Sequence, residues 1–145
     1  MRNKDQSGIS CMTDVRVRFS ETDPLGIVWH GNYIKYFEEG REEFGRMHGI
    51  SYLDQKANGY ATPIVKSSCE HKLPLSYGQI AKVKTTFIDY PAAKMIFRYE
   101  IMNEKDEVVC TGETIQVFVE LEGGLSLTAP AFFADWKKKM GLLGG

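Results

Sequence analysis

Residues 14–49, DVRVRFSETDPLGIVWHGNYIKYFEEGREEFGRMHG, pass from one periodicity to another, and that change decides the fold. Across Asp14–Ser20, Val15, Val17 and Phe19 alternate with Arg16 and Arg18, the period of a strand with one apolar face. Pro24, Gly26 and Gly31 forbid a regular element over Glu21–Gly31 and mark a shaped loop. From Asn32 to His48 the step lengthens. Tyr33, Phe37, Gly40, Phe44 and Met47 recur every three or four residues, flanked by Ile34 and Arg41. This predicts a helix of about five turns, roughly 25 Å long. Gly40 at mid-helix costs about 1 kcal/mol against alanine, which is tolerated where another backbone or a ligand comes close. Gly49 is placed as the helix stop.

Working outward, residues 1–12 are polar and carry Ser7, Gly8 and Ser10, so a flexible tail is expected there. Beyond Gly59 the chain is β-rich. Strands are predicted over Ala61–Lys72, Ile80–Tyr90, Met95–Asn103 and Val108–Leu121. Pro91-Ala92-Ala93 and Glu104-Lys105-Asp106-Glu107 are turns, so the last three strands make an antiparallel meander. Glu122-Gly123-Gly124 is a further turn, and Pro130–Met140 a closing helix. Strand, long helix, then strands is an α+β order. A helix with aromatics on its inner face needs a large apolar surface, which a curved antiparallel sheet supplies. One domain over residues 13–141 is expected, with 142–145 a short flexible tail. The long strands leave an edge that a second subunit can cover by pairing, so a homo-oligomer is expected.

Composition narrows the function. With 43% hydrophobic and 26% charged residues, the 145-residue chain is that of a globular protein with one core. A net charge of −1 provides no field to draw it onto nucleic acid or an anionic membrane. Cys11, Cys69 and Cys110 are odd in number and widely spaced, which suits reduced thiols rather than a disulfide framework or a zinc motif. No apolar h-region opens the chain and no run approaches the ~18 residues of a membrane span. A soluble, cytoplasmic protein is the expectation.

Chemistry concentrates in the loop. Asp23 stands just before a helix whose first N–H groups lack intrahelical partners, and those donors with the helix dipole favour a negative oxygen. A carboxylate beside such donors is minimal equipment for attack on a carbonyl: one group for the nucleophile, one for the oxyanion. An Asp before a Pro, taken alone, is more often a turn former or cap. His30 at the helix start can hydrogen-bond or orient water, although a lone His is commonly structural, as His48 and His71 are expected to be. Glu38 and Glu39 read first as a solvated face paired with Lys35 and Arg41. Cys69 and Cys110 lie in predicted strands without a nearby base and read as small buried hydrophobes. Lys137-Lys138-Lys139 reads as a solvated helix end. Trp29, Tyr33, Phe37, Tyr60 and Phe87 either line a pocket or fill the core.

Val17-Arg18, Thr22-Asp23, Gly26, Ile27-Val28, Tyr33 and Arg41 together resemble the pattern of the 4-hydroxybenzoyl-CoA thioesterase group and the bacterial acyl-CoA thioester hydrolases. Asp-Pro-Leu-Gly-Ile-Val-Trp-His-Gly-Asn-Tyr is close to that family's wording, and the order of elements over roughly residues 14–140 agrees. The resemblance implies the hotdog fold, a long central helix wrapped by a curved antiparallel sheet of about five strands, with active sites at a dimer interface. It implies Asp23 as catalytic carboxylate and an oxyanion-binding amide at His30 or Gly31, with Asn32 and Tyr33 close by. Lys94, at a sheet turn, would contact CoA phosphates, although neutral Ala92 and Ala93 beside it depart from the basic turns of some relatives. The implied activity is hydrolysis of an acyl-CoA to free acid and CoA, with no metal and no cofactor beyond the CoA of the substrate. A thiol pKa near 8.5 lets the thiolate leave without strong protonation. Asp23 then either attacks directly, forming an anhydride, or deprotonates water. Acyl-carrier-protein thioesterase and a non-catalytic acyl-CoA-binding module are the alternatives. The expected assembly is a homodimer or homotetramer.

Overall fold

The computed structural model describes residues 6–142. Three strands form the predicted meander: β4 (Ile80–Ile88), β5 (Lys94–Met102) and β6 (Val108–Val117). In β4, Ala81, Val83, Thr85 and Phe87 are buried while Lys84 between them is exposed, so alternation gives the sheet one apolar face. β1 (Gln6–Arg16) pairs with β4, and β3 (Ile64–His71) pairs with β6. The sheet is antiparallel throughout, in the order β1-β4-β5-β6-β3.

Helix α1 (Tyr33–His48) lies on the apolar face. It buries Tyr33, Tyr36, Phe37, Gly40, Phe44 and Gly45. Gly49 ends it with φ of 76°, its N–H donating to Gly45 O. The close approach expected at Gly40 comes from the sheet: a Cβ there would stand 2.8 Å from Val83 Cγ1 and collide with Thr85 Oγ1. Phe37 stacks on Tyr99 with centroids 4.5 Å apart, its ring over Gly112 where any side chain would clash. At the far end of α1, Phe44, Phe87, Phe97, Phe133 and Trp136 form an edge-and-face cluster. The architecture is α+β, a long helix wrapped by five strands.

Several expectations need correction. Met47 is 56% exposed, and Tyr36, at 1%, takes its place in the buried stripe. The first strand ends at Arg16 and starts at Gln6, so residues 6–12 are sheet rather than tail. Their polar sequence is held by pairing with β4, which composition alone does not reveal. Residues 1–5 lie outside the described residues. At the other end Leu142 packs against the core, and 143–145 lie outside the described residues. The strand predicted over Ala61–Lys72 is interrupted at Thr62-Pro63, where proline has no N–H to give a ladder. The short β2 (Tyr60–Ala61) instead pairs with β7 (Val119–Glu120) as a separate ribbon. Helix α2 (Tyr52–Ala57) was not foreseen; Ser51 and Asp54 cap it reciprocally. The closing helix α3 (Ala131–Lys139) agrees with expectation. Lys137, however, is 2% exposed, not solvated. Its Nζ stands 2.9 Å from Asp89 Oδ1 and donates to Tyr90 O at 3.0 Å.

Candidate active site

Residues 21–29 form a small hairpin. Trp29 N donates to Glu21 O, Thr22 bridges Val28, and Asp23 N donates to Ile27 O at 2.8 Å. Gly26, with φ of 79°, closes the tip by donating to Asp23 O. A neighbouring segment braces it: Val28 N donates to Leu75 O and Tyr77 N to Gly26 O. Half-buried Asp23 therefore stands at the tip of a fixed turn. Its Oδ1 accepts from Leu25 N at 2.8 Å, and Oδ2 has no partner among the described residues. The Asp is thus a turn former through one oxygen and free to do chemistry through the other.

Glu21 is the anchor that sequence reasoning missed. Its Oε1 accepts from Arg18 N at 2.9 Å and from Tyr36 OH at 2.8 Å. Its backbone carbonyl accepts from Asn32 Nδ2 at 2.8 Å as well as from Trp29 N. The carboxylate thereby joins hairpin to helix. Burial first, then donation to this carboxylate, pushes the Tyr36 hydroxyl pKa up. The spacing Glu21…Tyr36, across a loop, gives no sequence signal for the contact.

The helix begins through a 3₁₀ turn, His30–Asn32, in which Asn32 N returns to Trp29 O and Tyr33 N to His30 O. The amides of His30 and Gly31 have no acceptor among the described residues, which leaves two donors at the positive end of α1. Asn32 serves the loop rather than open solvent. Tyr33 is buried, and burial pushes its hydroxyl up to about 12. The exposed His30 ring lies 4.8 Å from the Trp29 ring and 6.0 Å from that of His71.

His71 is not isolated. Its ring lies 5.2 Å from Tyr33, and its Nδ1 is 3.9 Å from Cys69 Sγ, which in turn is 3.2 Å from Cys110 Sγ. The reading of two cysteines without a nearby base is corrected by register, which sets His71 opposite Cys110. Cys-x-His on one strand was the available signal, since positions two apart share a face. Burial pushes both thiols up, so neither is prepared as a nucleophile. His48 is structural, its Nε2 3.3 Å from Ser10 O and its ring against Phe44.

A cavity of about 620 Å³ lies elsewhere. It is walled by Ile50, Leu53, Ile64, Met95 and Phe97, with Glu38, Arg41 and Glu42 of α1 at its side and Gln55 and Gln116 among its lining. None of Trp29, Tyr33, Phe37, Tyr60 and Phe87 lines it. Trp29 is half exposed, whereas Tyr33, Phe37 and Phe87 belong to the core. Glu38 and Glu39 form no ion pair with Lys35 or Arg41 among the described residues; Arg41 donates to Tyr99 OH at 3.2 Å. Cavity and hairpin occupy opposite ends of β3: Ile64, its first residue, lines the cavity, and His71, its last, stands beside His30 and Tyr33. Lys94 is exposed and opens β5, with its Nζ 5.9 Å from the Tyr90 ring. It sits at the cavity's end of the sheet, since Met95 lines the cavity, and so stands away from the Asp23 hairpin.

Comparison with known proteins gives these features a context. Residues 17–137 match the family described as the thioesterase-like superfamily. YneP of Bacillus subtilis (strain 168), which carries an unproven assignment as an acyl-CoA thioesterase, is 32% identical over 123 residues, 85% of this chain and 89% of that protein. The acyl-CoA thioester hydrolase YbgC of Escherichia coli O6:H1 is 26% identical over 106 residues, 73% of this chain and 79% of its own. Among solved structures, a DHNA-CoA thioesterase from Staphylococcus aureus superposes with a TM-score of 0.81 at 30% identity, covering 91% of this chain and 89% of that one. The 4-hydroxybenzoyl-CoA thioesterase of Pseudomonas sp. strain CBS-3, at 22% identity and a TM-score of 0.76 over 89% of this chain and 99% of its own, shares the hotdog fold. The match covers the hairpin, the long helix and every strand of the meander, and by it the chain belongs to the thioesterase-like superfamily.

Proposed function

We propose that this protein is a thioester hydrolase that cleaves acyl-CoA to free acid and CoA, with Asp23 as the catalytic carboxylate. The observation that carries the reading is that one short segment holds both a fixed carboxylate with one oxygen unpartnered and, at the start of α1, the unpartnered amides of His30 and Gly31. The thioester carbonyl oxygen becomes an oxyanion held by those amides and the helix dipole. Asp23 supplies the attack, either by taking a proton from water or by adding to the carbonyl carbon to give an anhydride that water then opens. In both routes the C–S bond breaks and CoA leaves as thiolate, so neither route requires a metal or a cofactor.

The same reading calls for a homodimer. β3 is an edge strand with Val65 58% exposed, and cavity and hairpin stand at its two ends. Antiparallel pairing of two β3 edges about a two-fold axis sets each protomer's cavity and Lys94 beside its partner's Asp23 hairpin. The cavity would then hold the acyl group and Lys94 the CoA phosphates.

The test is steady-state hydrolysis of an acyl-CoA panel and matched acyl-carrier-protein esters, with free thiol detected, for wild type and Asp23→Asn. Asparagine still accepts from Leu25 N, so the turn survives while the base is lost. The expected result is a kcat loss of at least ~100-fold with unchanged melting temperature and oligomeric state. Full activity in the variant would overturn the assignment of Asp23. Turnover of carrier-protein esters alone would move the substrate class.

A further inference from the structure

We propose that Cys69, His71 and Cys110 form a three-ligand site for a thiophilic divalent metal ion, Zn²⁺, set between β3 and β6 beside the start of α1. Cys69 and His71 are two apart on β3 and share a face, and the register sets Cys110 of β6 opposite His71. Three strand positions therefore converge without a loop. The Sγ atoms of Cys69 and Cys110 are 3.2 Å apart, Cys69 Sγ and His71 Nδ1 3.9 Å, and all three ligand atoms lie within 4.8 Å of one another. Zinc–sulfur and zinc–nitrogen bonds of about 2.3 and 2.0 Å at tetrahedral angles set ligand atoms ~3.5–3.8 Å apart. The two thiols need only part slightly, and the exposed His71 closes the third edge by turning its ring.

Donor chemistry and charge point the same way. Two thiolates and an imidazole are the soft and borderline donors that select zinc over magnesium or calcium. Binding releases two thiol protons, so the dication meets two negative sulfurs and a neutral ring. The net charge is zero, which suits a place where Cys110 is fully buried. Three protein ligands leave a fourth position, and the His30 ring, 6.0 Å from that of His71, is the group at hand to fill it in place of water. An ion there would tie the edge strand β3 to the helix start. This inference stands apart from the hydrolytic reading because it is read by metal binding and not by turnover.

The experiment uses the full chain, reduced and stripped with chelator, titrated with Zn²⁺ against a competing indicator and separately with Co²⁺ as a spectroscopic probe. One equivalent is expected to bind, with thiolate-to-cobalt charge transfer and tetrahedral d–d absorption. Cys69→Ser should abolish the charge-transfer band's two-thiolate intensity. His71→Ala, at an exposed position that leaves the core intact, should weaken binding by at least ~10-fold, the least that loss of a supporting group costs at such sites. Cys11→Ser, away from the cluster, should bind as wild type. Absence of the cobalt bands in the wild type would overturn the proposal, as would binding unchanged in both Cys69→Ser and His71→Ala. A fall from three titratable thiols to one on air oxidation, with no metal bound, would instead show a disulfide couple.

Discussion

Alanine at Gly40 should destabilise the protein, although helix propensity alone predicts a gain. In an exposed helix interior Gly→Ala is worth about 1 kcal/mol in favour of alanine. Here the new methyl would stand 2.8 Å from Val83 Cγ1 and closer still to Thr85 Oγ1, both on the buried face of β4. Overpacking of this kind costs about 1–3 kcal/mol, because neither the strand nor the helix can retreat without opening its neighbours. The balance is a net loss of up to about 2 kcal/mol, or up to roughly 8 °C in melting temperature for a chain of this size. Urea unfolding at fixed protein concentration reads it directly. Thr85→Ala provides the control: its hydroxyl has no hydrogen-bond partner among the described residues, so removing it is cheap and clears the space. The double variant should therefore lose less than the sum of the singles, by about 1 kcal/mol, the scale on which residues in contact couple. A Gly40→Ala protein more stable than wild type would show that α1 and β4 are not in contact at this point.

Tyr36→Phe removes the hydroxyl that donates to Glu21 and should cost about 1.5–3 kcal/mol, the range for a hydrogen bond to a charged group; a thermal shift of zero would remove Glu21 as the anchor of the hairpin. Lys137→Met leaves Asp89 and Tyr90 O without their cation and should lose about 2–3 kcal/mol in the same urea assay. Tyr36 and Tyr99 are held above the usual tyrosine range chiefly by burial, so the unfolded chain ionises first. Their contribution is complete below about pH 10 and declines above it. Urea unfolding at a series of alkaline pH values should show stability falling above about pH 10, and stability unchanged from about pH 10 to 12 would contradict that burial.

The elements with strong period were legible. α1 announced itself by its aromatic stripe and the meander by alternation and short turns, because in both the burying face repeats along the chain. β1 was not, since Gln6–Met12 alternates weakly and is strand by virtue of β4 beside it. Lys137 was misread for the same reason: three lysines in a row give no sign that one of them meets Asp89. Within the candidate site, Asp23 and the amides of His30 and Gly31 lie in one short segment, so the sequence alone is enough to list them together. Glu21 with Tyr36, and Cys69 with Cys110, depend on how far a hairpin folds back and which strand lies alongside, and neither is written locally.

The order of strands in the sheet has a consequence for how quickly it forms. β4, β5 and β6 are joined by short turns, so each finds its partner after closing a small loop. β1 must instead bring Arg16 to Ile80 and Gln6 to Ile88, with the whole of α1 strung between. β3 joins from the other side, Ile64 meeting Gln116 only after the meander is complete. Chain-distant pairings of this sort slow folding, and here they fall on the two outermost strands. The meander with α1 laid on it would be the early nucleus, and the borders would zip on afterwards. During that interval β6 presents an unpaired flank, the flank that β3 later covers, so refolding yield should drop with rising protein concentration more steeply than native stability would suggest.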